Sequence, residues 1–186
     1  MFGYISFTFY NRFSDKGEFA IMFWKCFKYG CFLGLFGFFA GRILPKKWFN
    51  PKVFPFKPFG FEEDGTFYEK LKVHKWQSHV PDMSRIFTKL MPAKNLSGNY
   101  KERLPLMICE TCIAETVHSF VMLMGLHFLE IWQGLGGILC ELVFCFVFNL
   151  PYIVIQRYNR PRLMRIYNRI NCSGASSENA LEECEI

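Results

Sequence analysis

The fold turns on Asn149-Leu-Pro-Tyr-Ile-Val-Ile-Gln-Arg-Tyr-Asn-Arg-Pro-Arg-Leu163, where an apolar run meets a dense cluster of arginines and amides. Upstream, residues 131–156 carry a single charge, Glu141. As a helix that segment reaches about 39 Å, enough to cross a hydrocarbon core of roughly 30 Å. Downstream, Arg157, Arg160, Arg162, Arg165 and Arg169 follow in close succession. Such a run marks a juxtamembrane segment held on the cytoplasmic side against anionic headgroups. An anchor alone needs no Gln156-Arg157-Tyr158-Asn159-Arg160-Pro161-Arg162, which offers forked donors and amides suited to an anionic ligand. Both readings, anchor and ligand site, stand at this point. Pro161 is expected to stop the helix, leaving Arg165 and Arg169 outside the tight run and less important.

Composition agrees with a membrane class. Of 186 residues, 51% are hydrophobic and 19% aromatic, with 23 Phe, rich for a soluble domain carrying 20% charged residues. The net charge of +6 sits beside apolar runs and not on a soluble stripe, so anionic lipid or an anionic substrate fits better than nucleic acid. Cys26, Cys31, Cys140 and Cys145 lie in apolar runs where cysteine behaves as a small hydrophobe, so no disulfide framework follows. Cys109-x-x-Cys112 has no second ligand pair, and no metal is expected.

Working outward, residues 1–20 form an N-terminal extension, 21–170 a membrane domain and 171–186 a small, acidic tail with nothing periodic to bury, expected to be disordered. A first membrane helix is expected over about 20–43. Its uncharged core, residues 29–41, reaches the required length only if Lys25 and Lys28 snorkel. Residues 45–105 mix prolines, lysines and aromatics as interfacial segments do, with short amphipathic helices expected over 67–75 and 82–91. A long helix over 100–129 follows, charged first and apolar later, and the glycines at 134, 136 and 137 break it from the next. The fold class is therefore an all-α integral membrane protein of about three membrane helices, with short interfacial helices between the first and second. The positive-inside rule puts residues 45–104 and the chain after Gln156 on the cytoplasmic side, and the 127–137 turn outside.

The chemistry-bearing residues gather on the long helix. At 100° per residue, Glu110, His118, Thr111 and Glu115 fall within one 140° stripe. Carboxylates and an imidazole on a helix entering a bilayer are costly unless they meet each other, water or a ligand. Glu115 and His118, at i and i+3, have the spacing for a carboxylate to orient an imidazole as a general base. Asp82 can cap a helix, and Trp76 offers a ring for a sugar face or an interface anchor. No glycine-rich nucleotide loop, His-Glu-x-x-His or His-x-x-x-x-Asp box occurs.

Five ordered blocks resemble the glycosyl-4,4'-diaponeurosporenoate acyltransferase family, the CrtO-type enzymes that finish staphyloxanthin-like carotenoids. They are Phe56-Lys57-x-Phe59-x-Phe61-Glu62-x-x-Gly65-x-Phe67, Lys75-Trp76 with Asp82, Glu110-Thr111-x-x-Ala114-Glu115-x-x-His118, Asn149-x-Pro151, and the arginine run from Gln156. The resemblance spans roughly residues 29–166 and implies a multi-pass enzyme of the cell membrane. It implies an O-acyltransferase that esterifies a sugar hydroxyl of a glycosylated carotenoid or related glycolipid. No cofactor is implied beyond a fatty acyl donor as co-substrate: acyl-CoA, an acyl carrier or an acyl phosphate.

Residue chemistry then suggests roles. His118, with Glu115 and Glu110, would be catalytic; Asp82, Trp76, Arg157, Asn159, Arg160 and Arg162 would bind acceptor and donor. The membrane lipids would be partners and nucleic acid would not. A non-enzymatic membrane adaptor, or a lipid-binding or transport subunit, is the alternative.

Overall fold

Three apolar runs become three long helical segments, and the rest of the described chain is short helices and turns. The computed structural model describes residues 16–80 and 100–174. Helix α1 (Lys16–Ile43) is followed by 3-10 turns at Lys46–Trp48 and Gly60–Gly65, α2 (Thr66–Lys70), α3 (Val73–Trp76) and a 3-10 turn at Gln77–His79. After residue 99 come α4 (Tyr100–Gly125), α5 (Phe128–Ile131), α6 (Leu135–Val143), a π-helical turn (Phe144–Asn149) and α7 (Leu150–Gly174). Gly17–Ile43, Arg103–Ile131 and Leu135–Cys172 are each long and apolar enough to cross a membrane. The protein is an all-α integral membrane protein with short helices between its first and second spans.

The chain packs as two units. The first joins α1 to Val117–Leu150. Its α1 buries a narrow seam, Cys26, Leu33 and Gly37, and exposes Phe23, Trp24, Phe27, Phe32, Leu35 and Phe39 around the rest of its surface. A helix apolar on nearly every face suits lipid. Lys28 extends over the Trp24 ring, 6.0 Å from its centre, as a snorkelling cation does. Inside the unit, Tyr29 donates from its hydroxyl to the Met124 carbonyl at 2.8 Å, and its ring meets Phe128 edge-on. Gly134, at φ 92° and ψ −152°, makes the turn into α6 with a backbone conformation a side chain would strain.

The second unit joins Leu44–Thr116 to the chain from Pro151 on. Its apolar centre is Tyr68, Val73 and Tyr158, with Phe67, Trp76, Val154 and Ile155 packed against them. Burying side chains of this size contributes about 1.5–3 kcal/mol each.

Four sequence expectations change. The single helix over 67–75 is two, because Lys72 takes a left-handed conformation (φ 53°) that ends α2 and starts α3. The helix over 100–129 stops at Gly125 and resumes as the one-turn α5. Pro161 does not stop the last helix, and α7 runs through it to Gly174. The missing amide hydrogen lies where the ring is buried beside Gly65, so packing offsets the lost helical bond. Helix therefore includes residues 171–174 of the expected tail. Cys26, Cys31, Cys109, Cys112, Cys140 and Cys145 are free thiols, whereas Cys172 is disulfide-bonded. The helix expected over 82–91, and with it Asp82, lies outside the described residues, as do residues 1–15 and 175–186.

Candidate functional site

Within the second unit, α7 delivers two arginines into a set of acceptors. Arg157 is 9% exposed and Arg160 2%. From Arg157, Nε donates to Glu62 Oε1 at 2.6 Å, Nη1 to Glu115 Oε1 at 2.5 Å and to the Pro55 carbonyl at 3.1 Å. Its Nη2 donates to Glu62 Oε2 at 3.0 Å and to the Lys57 carbonyl at 3.4 Å. Those five bonds use every hydrogen a guanidinium has. Arg160 donates from Nε to Thr111 Oγ1 at 2.9 Å, from Nη1 to the Phe56 carbonyl at 2.7 Å, and from Nη2 to the Thr111 carbonyl and Glu115 Oε2. Two cations face two carboxylates, so the buried cluster is neutral.

The aromatic block now has a physical reason. Phe59 lies under the Arg157 guanidinium at 4.4 Å and Phe56 near that of Arg160 at 5.5 Å, stacking on the planar cations while their neighbours supply carbonyls. Glu62, the acid inside that block, accepts also from the Tyr68 hydroxyl at 2.5 Å and the Phe59 amide at 2.9 Å. Burial alone would raise its carboxyl, but the bonds from Arg157, Tyr68 and the Phe59 amide hold it below the usual carboxylate range. The same contact acts on Tyr68 in the opposite sense. Burial first, and then the Glu62 carboxylate, push its phenol above the ordinary tyrosine range.

The first unit holds His118. Its Nδ1 lies 3.1 Å from Asn149 Oδ1, and Asn149 Nδ2 donates to the Phe144 carbonyl at 2.9 Å. That second bond fixes which end of the amide faces the ring: the oxygen. The ring nitrogen meeting it must carry the hydrogen, which makes Nε2 the basic nitrogen. The bond has its origin in the π turn. Phe144 and Asn149 are the first and last residues of that turn, and the Asn149 side chain reaches back to the Phe144 carbonyl.

Sequence reasoning brought Glu115 to His118; the structure assigns the partners differently. Glu115 spends both oxygens on Arg157 and Arg160, and Asn149 takes the orienting place at His118 Nδ1. Two guanidiniums are stronger partners for a carboxylate than an imidazole. Arg157 and Arg160, expected to grip a ligand, brace the protein with their own donors. Glu110 is half-exposed, 3.4 Å from Lys46 Nζ. Trp76 donates from its indole to the Leu71 carbonyl at 3.3 Å and packs on the Tyr68–Tyr158 core. Arg162 is exposed, stacks on Tyr158 and lies 3.8 Å from Glu69; Asn159 is half-buried on the same helix.

Glu62 and Asn149 were not singled out as functional. Each carried a signal: Glu62 is a carboxylate set among Phe59, Phe61 and Phe67, and Asn149 is a lone amide at the end of an apolar run.

Three long apolar helices, with a part-buried histidine–amide pair in a chain braced by buried ion pairs, define a helical membrane protein. Residues 45–169 match the family model described as glycosyl-4,4'-diaponeurosporenoate acyltransferase. The Staphylococcus aureus (strain Newman) protein of that name is 30% identical over 135 residues, covering 72% of this chain and 81% of the relative. The strain N315 protein is 31% identical over 130 residues, covering 68% and 76%. No solved structure matches the chain. The chain belongs to the glycosyl-4,4'-diaponeurosporenoate acyltransferase family.

Proposed function

We propose that the protein is a membrane O-acyltransferase that esterifies a sugar hydroxyl of a glycosylated carotenoid, the last step of a staphyloxanthin-like pathway in the cell membrane. Family membership supplies the substrate class, and the His118–Asn149 pair is the observation that carries the chemistry. His118 Nε2 takes the hydroxyl proton as the sugar oxygen attacks the acyl carbonyl of the donor. The new C–O bond forms, the bond to the leaving group breaks, and the proton passes from His118 to the departing thiolate or phosphate. Asn149 holds the ring by accepting from Nδ1–H throughout. The donor is a thioester or acyl phosphate, and membrane lipid is the solvent of both long substrates.

The test is mass spectrometry of the lipids of a host that makes a glycosylated carotenoid, with and without this protein. An acyl ester of the glycoside that requires the wild-type protein and vanishes with His118→Gln supports the reading. An unchanged lipid profile, with the protein present in the membrane, sinks it.

A further inference from the structure

Cys145 and Glu141 stand together in the first unit, and the proton transfer assigned to His118 uses neither. The Cys145 thiol donates to Glu141 Oε1 at 2.9 Å, while Oε2 of the same carboxylate has no hydrogen-bond partner. Glu141 is 8% exposed, whereas Cys145 is half-buried. A glycine makes room for the carboxylate: a Cβ on Gly125 would lie 2.5 Å from Oε2 and 2.9 Å from the Phe144 ring. Buried carboxylates inside a membrane span are costly without a task. Glu62 and Glu115 meet arginines, but the donor bonded to Glu141 is a thiol. A thiol within hydrogen-bond reach of a carboxylate is the arrangement of a nucleophile and its base.

Glu141, Cys145 and Asn149 follow at i, i+4 and i+8, so they share one side of α6 and the π turn over about 12 Å. The thiol thus lies one turn from Asn149, the partner of His118. Leu142 and Phe146 beside it are exposed apolar surface, against which an acyl chain can lie on its way from lipid.

We infer that Cys145 is an acyl-accepting nucleophile with Glu141 as its base, and that the acyl chain reaches the sugar by way of a thioester on this cysteine. The inference rests on the acyltransferase reading for donor and acceptor, and it divides that reaction in two. First, Glu141 takes the thiol proton as the Cys145 sulfur attacks the carbonyl carbon of the activated donor. The new C–S bond forms, the bond to the donor's leaving group breaks, and Glu141 returns the proton to that group. Second, the sugar oxygen attacks the Cys145 thioester while His118 Nε2 takes the hydroxyl proton. The C–O bond forms, the C–S bond breaks, and the proton passes from His118 to the Cys145 sulfur, restoring the thiol.

The test uses the full chain in a host that supplies its own donor, fed ω-alkynyl palmitic acid, with and without the glycosylated carotenoid. A hydroxylamine-labile alkynyl chain on the Cys145 peptide, read by mass spectrometry, should accumulate without the acceptor and fall when the acceptor is made. His118→Gln should retain the chain even with acceptor present, because only its second step fails. Cys145→Ala should carry no chain and lose ester formation. Glu141→Gln should slow acquisition of the chain by about 10²-fold to 10⁴-fold, the loss of general-base assistance, at an unchanged level of protein in the membrane. Ester made with the acceptor but no chain on Cys145 without it overturns the inference and leaves the acyltransferase reading standing. Ester made by Cys145→Ala at the wild-type rate does the same, as does a chain borne equally by Cys31, an exposed thiol of α1. Absence of both ester and chain from the wild type sinks the reading and the inference together.

Discussion

Two buried carboxylates are treated in opposite ways by the two units. Glu62, 3% exposed, receives Arg157 twice, a tyrosine hydroxyl and a backbone amide. Glu141, 8% exposed in α6, has one oxygen accepting from the Cys145 thiol at 2.9 Å and the other without a hydrogen-bond partner. Burial is similar, and the surroundings are not. In the second unit the charges are matched donor for acceptor and fix the backbone of the aromatic block, although the Tyr158 hydroxyl there has no hydrogen-bond partner; in the first, one Glu141 oxygen is left without one. The braced arginines have their donors engaged within the protein.

The contrast breaks most completely at Arg157. Arg157→Met leaves Glu62 and Glu115 buried without their shared partner, and is expected to destabilise the protein by about 3–5 kcal/mol. Thermal unfolding in detergent reads this, with loss of folded protein from the membrane fraction as its cellular counterpart. A variant that melts with the wild type would show that the brace carries no stability.

His118→Gln comes next, lowering acylation by about 10²-fold to 10⁴-fold with unchanged melting. Asn149→Ala should lower turnover less, because the imidazole remains but its tautomer and orientation are no longer held. Near-normal turnover with His118→Gln would move the base elsewhere. Glu115→Gln should also lose activity, together with stability, since its oxygens bind the arginines and not the ring.

Acid and alkali sharpen the comparison further. The Glu62 carboxyl is depressed in the folded state, so the unfolded chain binds the proton better. Its contribution is complete above about pH 4.3, the unfolded value, and is lost as pH falls below it. Tyr68 is raised, so its contribution is complete below about pH 10 and is lost as pH climbs further. Melting temperature against pH checks both limbs, and Tyr68→Phe should remove the alkaline one. The smallest effect belongs to Glu141→Gln, expected within about 1 kcal/mol of wild type because no ion pair is broken. A loss as large as that of Arg157→Met would erase the distinction between the two carboxylates.

Much of the fold was legible because it is local. Apolar runs of sufficient length identify the three long helices without any knowledge of their neighbours, and residues 157–169 announce themselves by charge. Pro161 misled because its helix-breaking tendency is intrinsic, whereas its burial beside Gly65 depends on a segment nearly a hundred positions earlier. The stripe of Thr111 and Glu115 was readable from helical geometry, and both do face Arg160. Who answers them was not. Glu62 is 95 residues from Arg157, and Asn149 is 31 from His118. At i and i+3 Glu115 seemed the natural partner of His118 only because the competing arginines are distant in the chain.

That separation sets the order of events as the protein is made. Glu62 leaves the ribosome long before Arg157: 95 residues at 5–20 per second is about 5–20 s. During that interval the aromatic block and its carboxylate exist without the guanidinium that later unites them. The segment therefore matures from the far end of the chain, and a message cut short before the codon for Arg157 never yields the brace, whatever helices it has already encoded.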